Sequence, residues 1–330
     1  MKYLLLSRFI AFSILFLSAQ FLSAQEHSSP SSATPAASIA GSDVPVVAPS
    51  DFADMQQKAA AGDVLAQNNL GFAFAFGRGI EQNYQQAAHW FTLAAKAGFA
   101  PAQINLGALY EKGWAESHDM TQAIRWYRAA ADQGDPTAQR KLGNIYHAGR
   151  GLPHDDAESA RWYRLAAEGG DAIAQNNLGS FYHHGIGLER DYEQALIWYR
   201  KAAAQGLAEA DNNLGVMYED GLGTAKDYNQ AAALYAGAAA QGVARAKYNL
   251  ATLYSSGRGV PLDYVTAYMW YSRAAAAGDK LAARALKQMA SVMTARQKEL
   301  AQARLAEEQA ASLSEDPAHP PFDSTRSYSK

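Results

Sequence analysis

Residues 174–207 read AQNNLGSFYHHGIGLERDYEQALIWYRKAAAQGL. Taken alone, the stretch has the ingredients of a ligand site. Gly185, Ile186 and Gly187 resemble a phosphate-cradling turn, because two glycines let backbone N–H groups close around an anion. His183 and His184 offer metal ligands or proton carriers, and Tyr192, Trp198 and Tyr199 offer stacking rings. The rest of the chain changes that reading. Gly62, Gly98, Gly134, Gly170, Gly206, Gly242 and Gly278 stand 36 residues apart without drift. Leu70, Leu106, Leu142, Leu178, Leu214 and Leu250 keep the same period, each followed four residues later by Phe74, Tyr110, Tyr146, Tyr182, Tyr218 or Tyr254. Trp90, Trp126, Trp162, Trp198, Leu234 and Trp270 recur too, each followed by a phenylalanine or tyrosine. The glycine turn returns as Gly77-Arg78-Gly79, Gly149-Arg150-Gly151, Gly221-Leu222-Gly223 and Gly257-Arg258-Gly259, with Ala115 replacing the second glycine in one copy. A feature repeated once per unit belongs to the unit's fold rather than to one phosphate site.

Each unit reads as two helices. In the fourth, Ala174, Leu178 and Tyr182 lie four apart and share one face, which predicts a first helix over 172–184. Gly179 removes a side chain so that a neighbour can approach, Gly185 ends the helix, and Gly187 helps turn the chain back. Ala195, Tyr199 and Ala202, with Trp198 alongside, predict a second helix over 192–205. One such pair cannot bury both its faces, so pairs must stack. Ala251, Leu234 and the Ser159-Ala160 step are mild departures from the pattern.

Kept in register over six units, about residues 63–278, the pattern closely resembles the Sel1-like repeat, a relative of the tetratricopeptide repeat. The 36-residue period and longer glycine loop favour it over the 34-residue tetratricopeptide form. The resemblance implies an all-α fold, a right-handed α-solenoid of stacked antiparallel helix pairs. Residues 51–62 then form an N-terminal capping helix, and 279–312 form the helices that close the array behind a polar outer face.

Composition sets the boundaries. The 330 residues carry a net charge of −3, so no chain-wide basic field points to nucleic acid. The absence of cysteine excludes disulfides, a thiol nucleophile and cysteine metal sites. Lys2 and Arg8 precede the apolar run FIAFSILFLSAQFL, and Leu22-Ser23-Ala24 offers a cleavage point, so 1–24 reads as a secretory signal peptide rather than a retained anchor. Its removal takes away two positive charges, and no later stretch is apolar enough to span a bilayer. The expected location is exported, periplasmic or secreted, in a bacterium. Residues 25–50, rich in Ser, Ala and Pro, read as a flexible linker, and 313–330 as a frayed tail.

No Walker loop, zincin helix, nucleophile elbow or EF-hand loop is present, and the Ser327/Lys330 spacing sits in the tail. The expectation is no enzyme, no cofactor and no metal. His147 and His183 share one repeat position, which admits two readings: convergence on a metal, or a polar ladder. The tryptophans admit sugar stacking or core packing, and one per unit favours the core.

The functional candidate is another ladder. Asn69, Asn105, Asn177, Asn213 and Asn249 each precede the repeat leucine, with Lys141 in the third place. In tetratricopeptide domains the equivalent face lines a concave groove, where a carboxamide donates to and accepts from a peptide backbone. Neighbouring positions vary, among them Arg140, Asn144 and Tyr248. The expected partner surface is therefore Asn69, Asn105, Arg140, Asn144, Asn177, Asn213, Tyr248 and Asn249. The other reading has these asparagines joining helices by hydrogen bonds. The resemblance implies an exported adaptor that binds a protein or peptide, in envelope assembly, cell-wall enzyme control or host contact. Its alternative is a cell-wall ligand binder or a β-lactam-interacting enzyme of the cysteine-rich Sel1-like type, whose cysteines this chain lacks.

Overall fold

A computed structural model describes residues 49–114 and 117–314. The expected leader, most of the linker, Ala115 and the tail beyond Ser314 lie outside the described residues. Within them there are fifteen helices and no strand. The chain divides into two compact units, one through Asp119 and one from Met120. The first contains α1 (Pro49–Ala60), α2 (Val64–Phe76), α3 (Tyr84–Lys96) and α4 (Ala100–Lys112). The second contains α5 (Met120–Ala131), α6 (Pro136–Ala148), α7 (Asp156–Glu168), α8 (Ala172–His184), α9 (Tyr192–Ala204) and α10 (Ala208–Asp220). It continues with α11 (Tyr228–Ala240), α12 (Ala244–Ser256), α13 (Tyr264–Ala276), α14 (Lys280–Val292) and α15 (Ala295–Ser314). From α6 to α14 each helix packs on the next, so the second unit is a stack of antiparallel pairs, as an α-solenoid requires.

The helices begin and end where the sequence says they should. Asp155, Asp191, Asp227 and Asp263 cap the second helices by accepting backbone N–H groups of the first turn, while Asp135 and Asp171 cap α6 and α8. α10 and α12 instead start at Leu207 and Val243 without a side-chain cap. α6, α8, α10 and α12 all end on a left-handed glycine.

Every repeat leucine is buried, Leu142 and Leu178 completely. Opposite them lie the small residues of the second helices, Ala195, Ala231 and Ala267, each at 0% exposure. In the third repeat that place belongs to Ser159, also 0% exposed, whose Oγ donates to the Gly143 carbonyl at 2.8 Å. The alanine is thus replaced rather than shifted, and its hydroxyl is satisfied by backbone. Gly187 has two reasons to be glycine. Its φ is +63°, and a Cβ there would fall 2.1 Å from the Asp156 carbonyl oxygen of the preceding repeat's second helix. The loop glycine is therefore an inter-repeat joint as well as a turn. At the C-terminal end α15 lies back on α13, with Arg273 paired to Glu308 and with Met293, Ala301 and Leu305 in a cluster around Tyr271. No helix among the described residues is long and apolar enough to cross a membrane.

Candidate functional site

The glycine after each repeat leucine admits an aromatic ring. A Cβ at Gly143, Gly179 or Gly215 would fall 2.6, 2.8 or 2.5 Å from the ring of Tyr163, Tyr199 or Tyr235. The rings are buried, and their hydroxyls need partners. Tyr163 Oη donates to Asn144 Oδ1 at 2.7 Å. Tyr271 Oη and Thr252 Oγ1 lie 3.1 Å apart, and Ser180 serves Tyr199. Val216 has no polar atom, so Tyr235 reaches on to Glu219 Oε2 at 2.9 Å. Burial pushes the Tyr163 phenol up to about 12 and raises those of Tyr199 and Tyr235 as well. Variation at the position of Asn144, Ser180, Val216 and Thr252 thus follows the need of a buried hydroxyl.

The asparagine ladder is an inter-repeat joint. Asn105 Nδ2 donates to Asn68 Oδ1 at 3.1 Å, Asn213 Nδ2 to Asn176 Oδ1 at 2.9 Å, and Asn249 Nδ2 to Asn212 Oδ1 at 3.0 Å. Each pair ties one first helix to the first helix of the next repeat. Asn105 is 0% exposed and has no surface left for a partner. Asn69, Asn177, Asn213 and Asn249 keep a half-buried edge. The third repeat departs from the rule. Arg140 stands where Asn176 and Asn212 stand elsewhere, and its Nε donates to Asp171 Oδ2 at 2.8 Å. Asn177 lies beside the Tyr163 hydroxyl instead. The Tyr248 ring packs against Tyr271, centroids 5.6 Å apart, with the Arg245 guanidinium over it. The structure therefore brings Asn144 and Asn177 together around Tyr163, leaves Asn213, Tyr248 and Asn249 farther along the second unit, and keeps Asn69 and Asn105 in the first.

Two repeated contacts go beyond the expected set. Gln67, Gln103, Gln139 and Gln175 each donate Nε2 to a carbonyl in the last turn of the preceding helix, Ala59, Ala95, Ala131 and Ala167, at 3.0–3.3 Å. Each of these carbonyls also accepts the N–H of the glycine three residues on, so the glutamine fills its second lone pair. The signal was in plain view, a glutamine three residues before the leucine at the same period. Gln205 in turn donates to Gln175 Oε1 at 2.8 Å. Gly169 holds the corresponding place one repeat earlier, because Pro136 stands 2.7 Å from where its Cβ would be. Gln139 Oε1 is accordingly buried without a partner among the described residues. The second contact is a column of arginines. Arg128, Arg164 and Arg200 donate to the hydroxyls of Tyr146, Tyr182 and Tyr218 at 3.1, 2.7 and 3.0 Å.

The histidines do unlike things. His147 Nδ1 lies 2.6 Å from Asp156 Oδ1, and His154 lies between the same carboxylate and the His147 carbonyl. His183 turns its edge to Tyr192 and Tyr199 and stacks on His184 at 4.4 Å. Burial, reinforced by His184 and Arg190, lowers the His183 pKa to about 4. Among the described residues no group of three or more His, Asp or Glu is arranged to hold a metal ion. The tryptophans are core or half-core residues; Trp162 and Trp198 are buried, and Lys201 lies 4.0 Å over the Trp198 ring.

Six consecutive matches to the Sel1 repeat cover residues 64–99, 100–135, 136–171, 172–207, 208–243 and 244–279. The chain belongs to the Sel1 repeat family, whose repeats commonly mediate protein interactions. Two solved structures are similar along most of the chain. One is a protective antigen of uropathogenic Escherichia coli strains displaying an SLR fold, 36% identical with a TM-score of 0.68 over 78% of this chain. This chain spans only 56% of that protein. The other is a Sel1 repeat protein from Oxalobacter formigenes, 32% identical with a TM-score of 0.61, covering 68% of this chain and 99% of its own. No curated protein matches the sequence.

Proposed function

We propose that the chain is an exported, non-enzymatic adaptor that binds a protein segment along the first-helix face of its repeats. The observation that carries this is the row of half-buried carboxamides at Asn177, Asn213 and Asn249, the last two held by inter-helix amide pairs and Asn177 by the Tyr163 hydroxyl. An amide oxygen has two lone pairs, so even Asn213, whose Oδ1 accepts a long bond from Asn212 at 3.4 Å, has one to offer a peptide N–H. Ile173, 45% exposed one turn before Asn177, supplies apolar surface beside the row. The charged start, apolar run and small-residue step of the first 24 residues support export, as does the likeness to a protein described as a protective antigen.

The test is affinity capture from an envelope extract, read by mass spectrometry, comparing wild type with Ile173→Asp/Asn177→Ala. Asn177→Ala withdraws a partner from the buried Tyr163 hydroxyl and should lower the melting temperature, so Ile173→Asp alone, which leaves that contact intact, is run beside it. A partner held by wild type and lost by both variants is the expected result. Equal capture by all three would move the binding face elsewhere, and no capture by any would remove the adaptor reading.

A further inference from the structure

The arginine column differs from the rest of the surface in charge and in order. Arg128, Arg164 and Arg200 sit on α5, α7 and α9 at one repeat position, and all three are exposed. A tyrosine hydroxyl of the following first helix fixes each guanidinium through one N–H, which leaves the others free. Arg164 also lies over the Tyr182 ring, 5.9 Å from its centroid. The column stops at Ala236, and Thr92 holds the place in the first repeat, so it spans three repeats of the chain. Arg125, Arg161 and Lys201 flank it on the same helices, and Arg161 is tied to Glu158 at 2.6 Å. Beside Arg128 lies an open depression of about 450 Å³ lined by Arg125, Ile124, Leu152 and Asp132.

We infer that this column is a docking edge for an extended acidic polypeptide. Charge complementarity and spacing carry the inference. Second helices of neighbouring repeats lie roughly one to two packing distances apart, about 10–15 Å. Three to four residues of extended chain, at about 3.3 Å each, cover the same distance, and side chains four apart share one face, so a segment with an acid at every fourth position meets one arginine per repeat. Asp132 and Glu168 stand one turn on from Arg128 and Arg164 and make no ion pair with them among the described residues. They oppose a continuous polyanion such as a nucleic-acid strand, which puts charge everywhere along the edge. A polypeptide that spaces its acids avoids them. The arginines are pre-positioned by tyrosine, so less side-chain freedom is lost when a carboxylate arrives. Ile124 and Leu152 give an apolar residue at the end of that segment a place to sit.

The experiment is fluorescence anisotropy on the full chain with labelled peptides of about 12 residues, long enough to span three repeats when extended. One peptide spaces glutamates every fourth position, a second of equal composition clusters them, and a single-stranded oligothymidylate serves as the continuous polyanion. The spaced peptide binds most tightly and is weakened by added salt. Changing Arg128, Arg164 and Arg200 together to Gln weakens it by about tenfold or more, and Arg164→Gln alone by about threefold, if each arginine contributes a charge-assisted contact. Arg164→Lys, which keeps the charge, stays nearer to wild type than Arg164→Gln. That comparison stands even if the triple variant does not fold. Absence of wild-type binding at low salt, equal binding of the three probes, or equal binding by wild type and both Arg164 variants would each overturn the inference. A purely stapling role for the arginines would lower the melting temperature without touching the anisotropy.

Discussion

The joint between the third and fourth repeats and the joint between the fourth and fifth occupy the same place in the repeat and are built from different chemistry. In the first, Arg140 pairs with Asp171, the side chains 17% and 11% exposed. In the second, Asn213 donates to Asn176, a neutral bond at 2.9 Å. Asp171 has a second task, since it also caps α8 by accepting the Ala174 N–H at 2.7 Å. A neutral amide pair costs little to bury and asks only for geometry. An ion pair in the same place must offset the desolvation of two charges, and it depends on salt and pH. The repeat fixes where a polar joint goes and leaves its chemistry free.

Helix α8 takes part in both joints, so the largest effect should come from the floor beneath them. Leu178 is 0% exposed, and Leu178→Ala should cost about 2–5 kcal/mol, seen as a lowered denaturation midpoint. A cost below about 1 kcal/mol would mean that the two joints, not the apolar floor, hold this repeat in the stack. The joints themselves come next. Arg140→Ala leaves Asp171 mostly buried without its cation and should cost about 1–3 kcal/mol; Asn213→Ala, which leaves one amide oxygen unpaired, should cost about 1–2 kcal/mol. The comparison sharpens in salt. Raised ionic strength should narrow the gap between Arg140→Ala and wild type and leave that for Asn213→Ala unchanged. Equal salt responses would erase the distinction between the joints.

Smallest at neutral pH, and growing only in acid, is a pH dependence carried by the same helix. His183 is held neutral in the folded state, with a pKa near 4, below the usual histidine value of 6.5. The unfolded chain therefore binds a proton first as pH falls. Stability from this group is complete above about pH 6.5 and declines as pH drops toward 4. His183→Gln should flatten the melting temperature over that interval. An unchanged slope would assign the acid sensitivity to other groups, His184 first, since burial and Arg190 lower its pKa in the same direction.

Much of this was legible beforehand. The span of α8 matches the range expected from the spacing of Ala174, Leu178 and Tyr182, because helix-period apolar residues bounded by an aspartate cap and a glycine stop allow few alternatives. The partners of polar side chains were less legible. Asn213 and Asn177 occupy one repeat position, yet the first bonds to Asn176 and the second turns to Tyr163, because Arg140 replaces asparagine one repeat earlier. Asn144 read as a groove residue of free choice and is the acceptor of a buried phenol. His147 and His183 share a position and meet Asp156 in one case and two tyrosine rings in the other.

The sequence by itself determined the period, the helix ends, the buried leucines and the family, since all of these follow from local periodicity and from glycines that tolerate left-handed backbone. Only the tertiary structure decided which amides are joints, which hydroxyls they satisfy, and which cations are left facing water. The physical reason is distance: a hydrogen bond forms within about 3 Å of its partner, and these partners are 8–37 residues away along the chain, brought close by the packing of one helix on another.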